Sequence, residues 1–267
     1  MSDRRFDTRR LPGAATIAIF CLVVLYIPLF ILVINSLNAS ASASRWEGVS
    51  LSWYSLAIHN ESFLNAATNS LVLAMAAAAI ATVTATLGAL ATTRSRNFKA
   101  ENTINLILNQ PLMVPEIVMA IALLIIFAQI KQATNYNGMA YLVVAHSAFC
   151  IPFAYMPVRA RLQSMDLTLE TAAADLYAGR IYTFRKVTLP LLAPAVLAGF
   201  MLAFVVSLDD VVISQFLKSP GQDTLPTYLL GQLKRNLTSE IYAISSLLLL
   251  LSVLIVAGSW LLTRRKT

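Results

Sequence analysis

Residues 166–190 read DLTLETAAADLYAGRIYTFRKVTLP, a polar and charged stretch that separates two long apolar segments. A turn between two such segments can be closed by a handful of residues, so the length of this stretch needs another explanation. It holds an acidic start, a run of alanines, a glycine and a basic exit, which is typical of short helices joined by a turn. We expect it to be a folded element that docks onto a partner.

The composition of the whole chain excludes a soluble globular protein. Of its 267 residues, 58% are hydrophobic and only 12% are charged. A soluble domain of this length would need far more charge to cover its surface. We therefore interpret the chain as an integral membrane protein.

Six apolar windows are long enough to cross a bilayer, which takes about 20 residues in a helix. They cover residues 14–36, 66–92, 102–130, 139–160, 190–216 and 241–262. The third and fifth windows are longer than required, which favours tilt or irregular ends. The predicted fold is all-α, a polytopic membrane protein whose six transmembrane helices form a single domain over residues 1–267.

The positions of the basic residues predict the orientation of these spans. Of the 20 lysines and arginines, 15 lie on one side of the membrane. They are Arg4, Arg5, Arg9, Arg10, Arg94, Arg96, Lys99, Arg159, Arg161, Arg180, Arg185, Lys186, Arg264, Arg265 and Lys266. Because basic residues accumulate on the cytoplasmic side, we expect both termini and residues 166–190 to be cytoplasmic. The net charge of +7 then reflects membrane orientation, and we expect no nucleic-acid partner.

The first window also resembles a secretory signal, since arginines precede it and Ala39-Ser40-Ala41 follows it. The apolar core of a signal runs over about 7–15 residues, and this window is longer. A retained membrane span is therefore the favoured interpretation.

The second window contains LVLAMAAAAIATVTATLGALA at residues 71–91, which is rich in alanine and threonine. Small residues let helix backbones approach closely, and lipid offers no hydrophobic driving force of its own for helix association. We expect this helix to be buried in a bundle or at a subunit interface. The alternative is a generic, weakly hydrophobic span.

Three carboxylates lie inside or at the ends of apolar windows. Glu116 follows Pro111 and Pro115, and helix breaks at membrane depth survive only where they face protein or a watery cavity. Asp209 and Asp210 lie near the end of the fifth window, and neighbouring helix positions point about 100° apart, so at most one can face a given pore. All three are candidates for a translocation pathway. The alternative is that they bond neighbouring helices or are hydrated at the membrane interface.

The sequence lacks the motifs of a self-sufficient enzyme or pump. It has no Gly-x-x-x-x-Gly-Lys-Ser/Thr, no His-Glu-x-x-His and no Cys-x-x-Cys, and its two cysteines have no metal-like spacing. We expect no catalytic residue, no cofactor and no metal site. Energy for uphill transport must then come from a partner or from an ion gradient.

Residues 166–190 resemble the cytoplasmic signature of the permease subunits of bacterial ABC importers. That signature has the form Glu-Ala-Ala, a glycine four positions on, and then Ile-x-Leu-Pro. The similarity extends along nearly the whole chain and is strongest to permeases of the spermidine/putrescine type. The stretches that carry it are LYIPLFILVINSLNAS at 25–40, WYSL at 53–56, PEIVMAIALLIIF at 115–127, HSAFCIPFAYMPVRARL at 146–162, SLDDVVISQF at 207–216 and TLP at 224–226.

The resemblance implies a type I ABC-importer permease, of MetI-like architecture, in a bacterial inner membrane. Its partners would be a second homologous permease, a cytoplasmic ABC ATPase dimer, a periplasmic substrate-binding protein and membrane lipid. Residues 166–190 would be the loop that couples ATP hydrolysis to transport. Its candidate coupling residues are Glu170, Thr171, Ala172, Ala173, Asp175, Tyr177, Gly179, Leu189 and Pro190.

The loop departs from the family pattern at two positions. Aligned on its Leu-Pro end and on Asp175, the family's glutamate falls at Thr171 and its glycine at Tyr177. Glu170 stands one residue before the first position, and Gly179 two residues after the second. Since only glycine enters left-handed geometry freely, we expect Gly179 to supply the turn between two short helices.

The predicted function is the permease subunit of an ATP-driven polyamine importer, whose carboxylates Glu116, Asp209 and Asp210 suit a polycation. One alternative keeps the transporter class and changes the cargo to another small solute, such as an amino-acid derivative or opine. Another is an ion-gradient carrier that works without an ATPase, which inverted repeats would favour.

Overall fold

The computed structural model describes residues 13–42, 45–94, 101–234 and 238–264. Within these ranges the regular structure is helical and no β-strand forms, which confirms the all-α prediction. The helices are, in chain order, α1 Ala14–Ser36, α2 Ser52–His59, α3 Glu61–Arg94, α4 Glu101–Met113, α5 Glu116–Thr134, α6 Ala140–Ser164, α7 Thr168–Asp175, α8 Arg180–Thr183, α9 Leu189–Asp209, α10 Val212–Leu217, α11 Leu225–Leu233 and α12 Ser239–Arg264. A π-helical turn, Phe184–Thr188, joins α8 to α9.

The chain divides into two compact units, of which the first comprises residues 1–60 and 232–251. Within it, the Tyr54 hydroxyl is hydrogen-bonded to Ser36 Oγ and to Ser246 Oγ, each at 2.7 Å. Asn60 Nδ2 donates to Glu240 Oε1 at 2.9 Å. These bonds tie α2 to α1 and to the start of α12, while α1 exposes large apolar side chains along its length.

The second unit, residues 61–231 and 252–267, has its core where α3, α6 and α9 pack together. The face of α3 in this core carries alanines that are fully buried, namely Ala74, Ala78, Ala81, Ala85 and Ala89. Alanine adds little bulk beyond the backbone, so neighbouring helices can approach closely. One face of this alanine-rich helix is therefore buried in a bundle, and its place at a subunit interface stays a prediction.

The contact between α6 and α9 is tighter still. A Cβ atom added at Gly199 would lie 2.8 Å from the carbonyl oxygen of Ala154. One turn away on each helix, Cys150 Sγ donates to the carbonyl oxygen of Ala203 at 3.4 Å. Glycine at position 199 therefore sets how closely the two backbones meet.

Five helical segments in the described part of the chain are long and apolar enough to cross a membrane. They are α1, α3, α5, α6 and the segment that runs from Arg180 to the end of α9. The sixth predicted window, 241–262, lies within α12, and its membrane crossing stays a prediction. The grouping of all 267 residues into a single domain also stays a prediction.

Two of the predicted windows are divided in the structure. The window 102–130 breaks between α4 and α5, where Pro115 is extended at ψ 129° and has no N–H with which to continue the helix. The window 190–216 breaks between α9 and α10, where Asp210 is extended at ψ 128°. The other windows match helices whose ends differ by a few residues.

Part of the charge pattern lies outside the described residues. Of the basic residues used to predict orientation, these are Arg4, Arg5, Arg9, Arg10, Arg96, Lys99, Arg265 and Lys266. The cytoplasmic placement of both termini therefore stays a prediction from the sequence.

Candidate functional sites

Residues 166–190 fold into short helices, as their composition indicated. The backbone N–H of Thr168 donates to Asp166 Oδ1 at 2.9 Å, which starts α7 and holds the pKa of that carboxyl below its usual range. No residue of α7 is buried. Most of its side chains therefore face outward, as those of a docking element would.

The left-handed residue of the loop is Tyr177, with φ 59°. Its N–H donates to the carbonyl oxygen of Ala174 at 2.9 Å, and the N–H of Ala178 donates to that of Ala173 at 3.0 Å. These two bonds form a Schellman motif, which usually places a glycine at this position. A tyrosine in left-handed geometry costs about 1–2 kcal/mol relative to glycine.

The expectation that Gly179 supplies the left-handed turn is wrong. Gly179 is extended, at φ −65° and ψ 152°, and its carbonyl oxygen accepts the N–H of Thr183 at 3.0 Å to start α8. Because α7 continues to Asp175, the reversal that ends it falls two residues before the glycine. The turn thus lies where the family's glycine aligns, although this chain has tyrosine there.

Glu170 anchors the loop to the end of α3. Its Oε2 lies 3.3 Å from Nε of Arg94, and its Oε1 accepts a hydrogen bond from Thr188 Oγ1 at 3.0 Å. Arg94 Nη1 also donates to the carbonyl oxygen of Leu162 at 3.1 Å. One carboxylate therefore connects α3, α7 and the turn before α9. A cavity of about 750 Å³ lies beside it, between α7, α8 and the end of α3.

The other predicted coupling residues lie mainly on the surface. Thr171 hydrogen-bonds its own helix, since its Oγ1 donates to the carbonyl oxygens of Leu167 and Thr168 at 3.0 and 2.9 Å. The exposed ones are Thr171, Ala172, Asp175, Tyr177, Gly179, Leu189 and Pro190, while Ala173 is half-buried. Glu170 thus fixes the loop internally, and its neighbours form the outer surface.

At the break between α9 and α10, Asp210 is buried and acts as a cap. Its Oδ1 accepts the N–H of Ile213 at 3.2 Å, and its Oδ2 accepts that of Ser214 at 2.9 Å. These bonds satisfy two of the N–H groups that a helix start leaves unpaired. Of the two neighbouring aspartates, Asp210 is therefore the one that caps and pairs.

The other two predicted carboxylates lie on either side of this cap. Glu116 is the first residue of α5, which packs against α10, and its carboxyl group lies beside that of Asp210. Asp209 is the last residue of α9 and is exposed. In the described part of the chain, Glu116 and Asp210 are thus brought together, and Asp209 remains on the surface.

Two further polar residues at these sites had only a weak signal in the sequence. His146 lies in an apolar segment, where it is fully buried and hydrogen-bonded to two serines. Arg94 was counted only for orientation, because its partner Glu170 is distant in sequence and no spacing rule joins them.

A family model for binding-protein-dependent transport system inner membrane components matches residues 83–265. The chain is 39% identical over 259 residues to the spermidine/putrescine transport system permease protein PotC of Escherichia coli K12, covering 97% of this chain and 96% of that protein. It is 32% identical over 243 residues to the putrescine transport system permease protein PotI of the same strain, covering 90% and 86%.

Solved structures show the same fold at low sequence identity. A chain of the bacterial ABC transporter that imports the acidic polysaccharide alginate superposes with a TM-score of 0.73 at 18% identity, covering 95% of this chain and 94% of that one. A chain of the inward-facing MetNI methionine ABC transporter gives a TM-score of 0.65 at 16% identity, covering 76% and 95%. From these matches and its apolar helices, the chain is a multi-pass membrane protein that belongs to the family of binding-protein-dependent transport system inner membrane components.

Proposed function

We propose that this chain is the membrane-spanning permease subunit of an ATP-driven importer whose cargo is a polyamine such as putrescine or spermidine. It resides in a bacterial inner membrane with six spans and both termini in the cytoplasm. A second, homologous permease completes the pathway, an ABC ATPase dimer supplies energy, and a periplasmic protein delivers the cargo. In this arrangement the ATPase dimer hydrolyses ATP.

The cargo assignment rests on the carboxylates beside the break between α9 and α10. A polyamine is a flexible chain with a positive amine at each end, and an amine that leaves water needs an opposing charge. Glu116, which is half-buried, and exposed Asp209 offer carboxylates beside this break. The PotC and PotI relatives, named for spermidine and putrescine transport, support the same cargo.

The ATPase would dock on the exposed surface of residues 166–190. Apolar side chains project from the turn after α7 and from α8, with Leu176 81%, Tyr177 98% and Ile181 76% exposed. Large exposed apolar groups on a polar segment mark an interaction site. The ion pair between Glu170 and Arg94 supports the docking role, because it fixes this surface to a membrane helix.

Uptake of labelled putrescine and spermidine tests the cargo. Deleting the gene should abolish ATP-dependent import of one or both, and the intact gene on a plasmid should restore it. Glu116→Gln and Asp209→Asn should each reduce import, while Glu61→Gln, at the start of α3, is the matched control. If the deleted strain imports polyamines normally but loses uptake of an amino-acid derivative, the cargo assignment is wrong.

The docking surface needs a separate test on the reconstituted transporter. Leu176→Glu places a charge where the structure offers an apolar side chain, so stimulation of ATP hydrolysis by the loaded binding protein should fall about tenfold or more. Val49→Glu is the control, since Val49 is 75% exposed and lies in the other compact unit. Unchanged stimulation in Leu176→Glu would exclude this surface as the docking site.

A further inference from the structure

A single buried histidine spans the break between α9 and α10. His146 lies on α6 and is fully buried. Its Nδ1 is 2.9 Å from Ser207 Oγ, on α9 before the break, and its Nε2 is 3.0 Å from Ser214 Oγ, on α10 after it. One imidazole therefore holds the two helix segments at a fixed separation.

The same ring also faces the capping carboxylate. His146 Nε2 lies 3.4 Å from Asp210 Oδ2, and the side chains of both residues are only 1% exposed. Asp210 Oδ2 already accepts the N–H of Ser214, and an acceptor oxygen is best matched by a ring nitrogen that carries a hydrogen. We therefore assign the ring hydrogen to Nε2, which leaves Nδ1 to accept the hydroxyl hydrogen of Ser207.

Asp210 in turn lies next to Glu116, the residue proposed to meet the cargo. Its carboxyl group lies beside that of Glu116, on α5, which packs against α10. The three side chains form a row from the core outward, in which His146 is fully buried, Asp210 is 6% exposed and Glu116 is half-buried. A displacement of the histidine would therefore reach Glu116 through Asp210.

We infer that His146 is a positioning residue for transport, which holds the break between α9 and α10 so that Asp210 orients Glu116 toward the polyamine. This inference rests on the proposed function, since it takes Glu116 as a group that meets the cargo. His146 itself does not contact the cargo because it has no exposed surface. Its action depends on the two serines and the aspartate.

The neighbouring groups support this role over simple packing. Cys150, one turn away on α6, also contacts α9, and it does so with one weak bond to the carbonyl oxygen of Ala203 at 3.4 Å. Among the residues that the structure describes, His146 is the one whose side chain is hydrogen-bonded to both α9 and α10. An apolar residue of similar size would fill the space and leave Ser207 and Ser214 without this bridge.

The test measures polyamine uptake at saturating cargo by the complete transporter in proteoliposomes with its binding protein. His146→Leu loses the bridge and should transport the cargo about tenfold more slowly, because the loss of one buried hydrogen bond corresponds to about a tenfold change in rate. His146→Gln keeps a donor and an acceptor and should recover most of the rate. Thr92→Val is the matched control, because it removes the buried bond between Thr92 and Tyr155 at a different helix contact.

A double-variant cycle separates positioning from general packing. If His146 acts through Asp210 on Glu116, then His146→Leu combined with Glu116→Gln should be no slower than the worse single variant. Independent, additive losses would overturn the positioning role, as would an equal loss in Thr92→Val. Ser207→Ala removes the Nδ1 partner without adding bulk, and it replaces His146→Leu in the cycle if that variant does not assemble.

The proposed function fails by a different result. It fails if the wild-type transporter with its binding protein imports no polyamine, whereas wild-type uptake by Glu116→Gln would remove Glu116 from the pathway and overturn the positioning role. Slow uptake by Glu116→Gln together with wild-type uptake by His146→Leu would overturn only the positioning role.

Discussion

Removing the Glu170 carboxylate should loosen the loop at residues 166–190 from the end of α3. In Glu170→Ala, Arg94 loses its counter-ion and Thr188 loses the acceptor for its hydroxyl. The two ion-paired side chains are only 21% and 22% exposed, so little solvent replaces the lost partners. Truncating one member of a fully buried pair costs about 3–5 kcal/mol. With this partial exposure, we expect about 2 kcal/mol.

Hydrogen–deuterium exchange on the complete transporter, without nucleotide, measures this loosening. A loss of about 2 kcal/mol makes local opening about 30-fold more frequent, and the amides of α7 should exchange faster by about that factor. Glu47→Ala is the matched control, because Glu47 also pairs with an arginine, Arg45, but the two side chains are 46% and 80% exposed. Its effect should stay below about 1 kcal/mol.

The pair also permits an internal check. Arg94→Leu combined with Glu170→Ala removes both charges, so no buried charge is left without a partner, and α7 should regain part of its protection. Unchanged exchange of residues 168–175 in Glu170→Ala would refute the reasoning, because it would mean that the ion pair does not hold the loop. Equal loosening in Glu47→Ala would refute it too.

Three further predictions concern the backbone of the loop and of the core. Tyr177→Gly removes the strain of a left-handed tyrosine, so the end of α7 should be stabilised by about 1 kcal/mol and its amides should exchange more slowly. Faster exchange would mean that the tyrosine ring stabilises the turn. Gly199→Ala forces its new methyl group into a backbone carbonyl and should lower the thermal midpoint, whereas Gly231→Ala, with nothing within 4 Å, should not. The pKa of Asp166 is lower in the folded protein, so its bond to Thr168 stabilises α7 fully at a pH above the pKa of an aspartate in the unfolded chain. This stabilisation is lost as the pH falls through the pKa of Asp166 in the folded protein. Asp166→Asn should remove that pH dependence from the amide exchange of α7.

The sequence predicted the features that depend on local composition. The length of the apolar windows predicted the five segments that can cross a membrane, and the alanine content of the second window predicted the buried face of α3. Pro115 marked the break before α5, because proline has no N–H to donate. The loop at residues 166–190 was identified by its polarity and by its resemblance to a family signature.

Features that depend on distant partners could not be predicted. The break after α9 has no proline, and it is stabilised by Asp210 together with His146, which is brought to it only by the packing of α6 on α9. The turn at Tyr177 had no local signal, because tyrosine rarely adopts left-handed geometry. The prediction placed the turn at Gly179 because glycine adopts left-handed geometry freely. In the structure Gly179 is extended.

The two candidate functional sites lie at opposite ends of the same pair of helices. α6 ends at Ser164, just before the loop, and carries His146 toward its other end, while α9 begins at Leu189, just after the loop, and ends at Asp209. A helix of 21 residues such as α9 is about 30 Å long, so the loop and the carboxylates are separated by most of a membrane thickness.

Close packing makes this helix pair a physical connection between the sites. Between them, the contact of Gly199 with the Ala154 backbone leaves no room for a methyl group, so neither helix can shift far without the other. Glu170→Ala should therefore raise amide exchange in α7 alone, whereas Gly199→Ala should raise it both in α7 and around Asp210. If Gly199→Ala leaves either end unchanged, the two sites are connected by another route than the packing of α6 on α9.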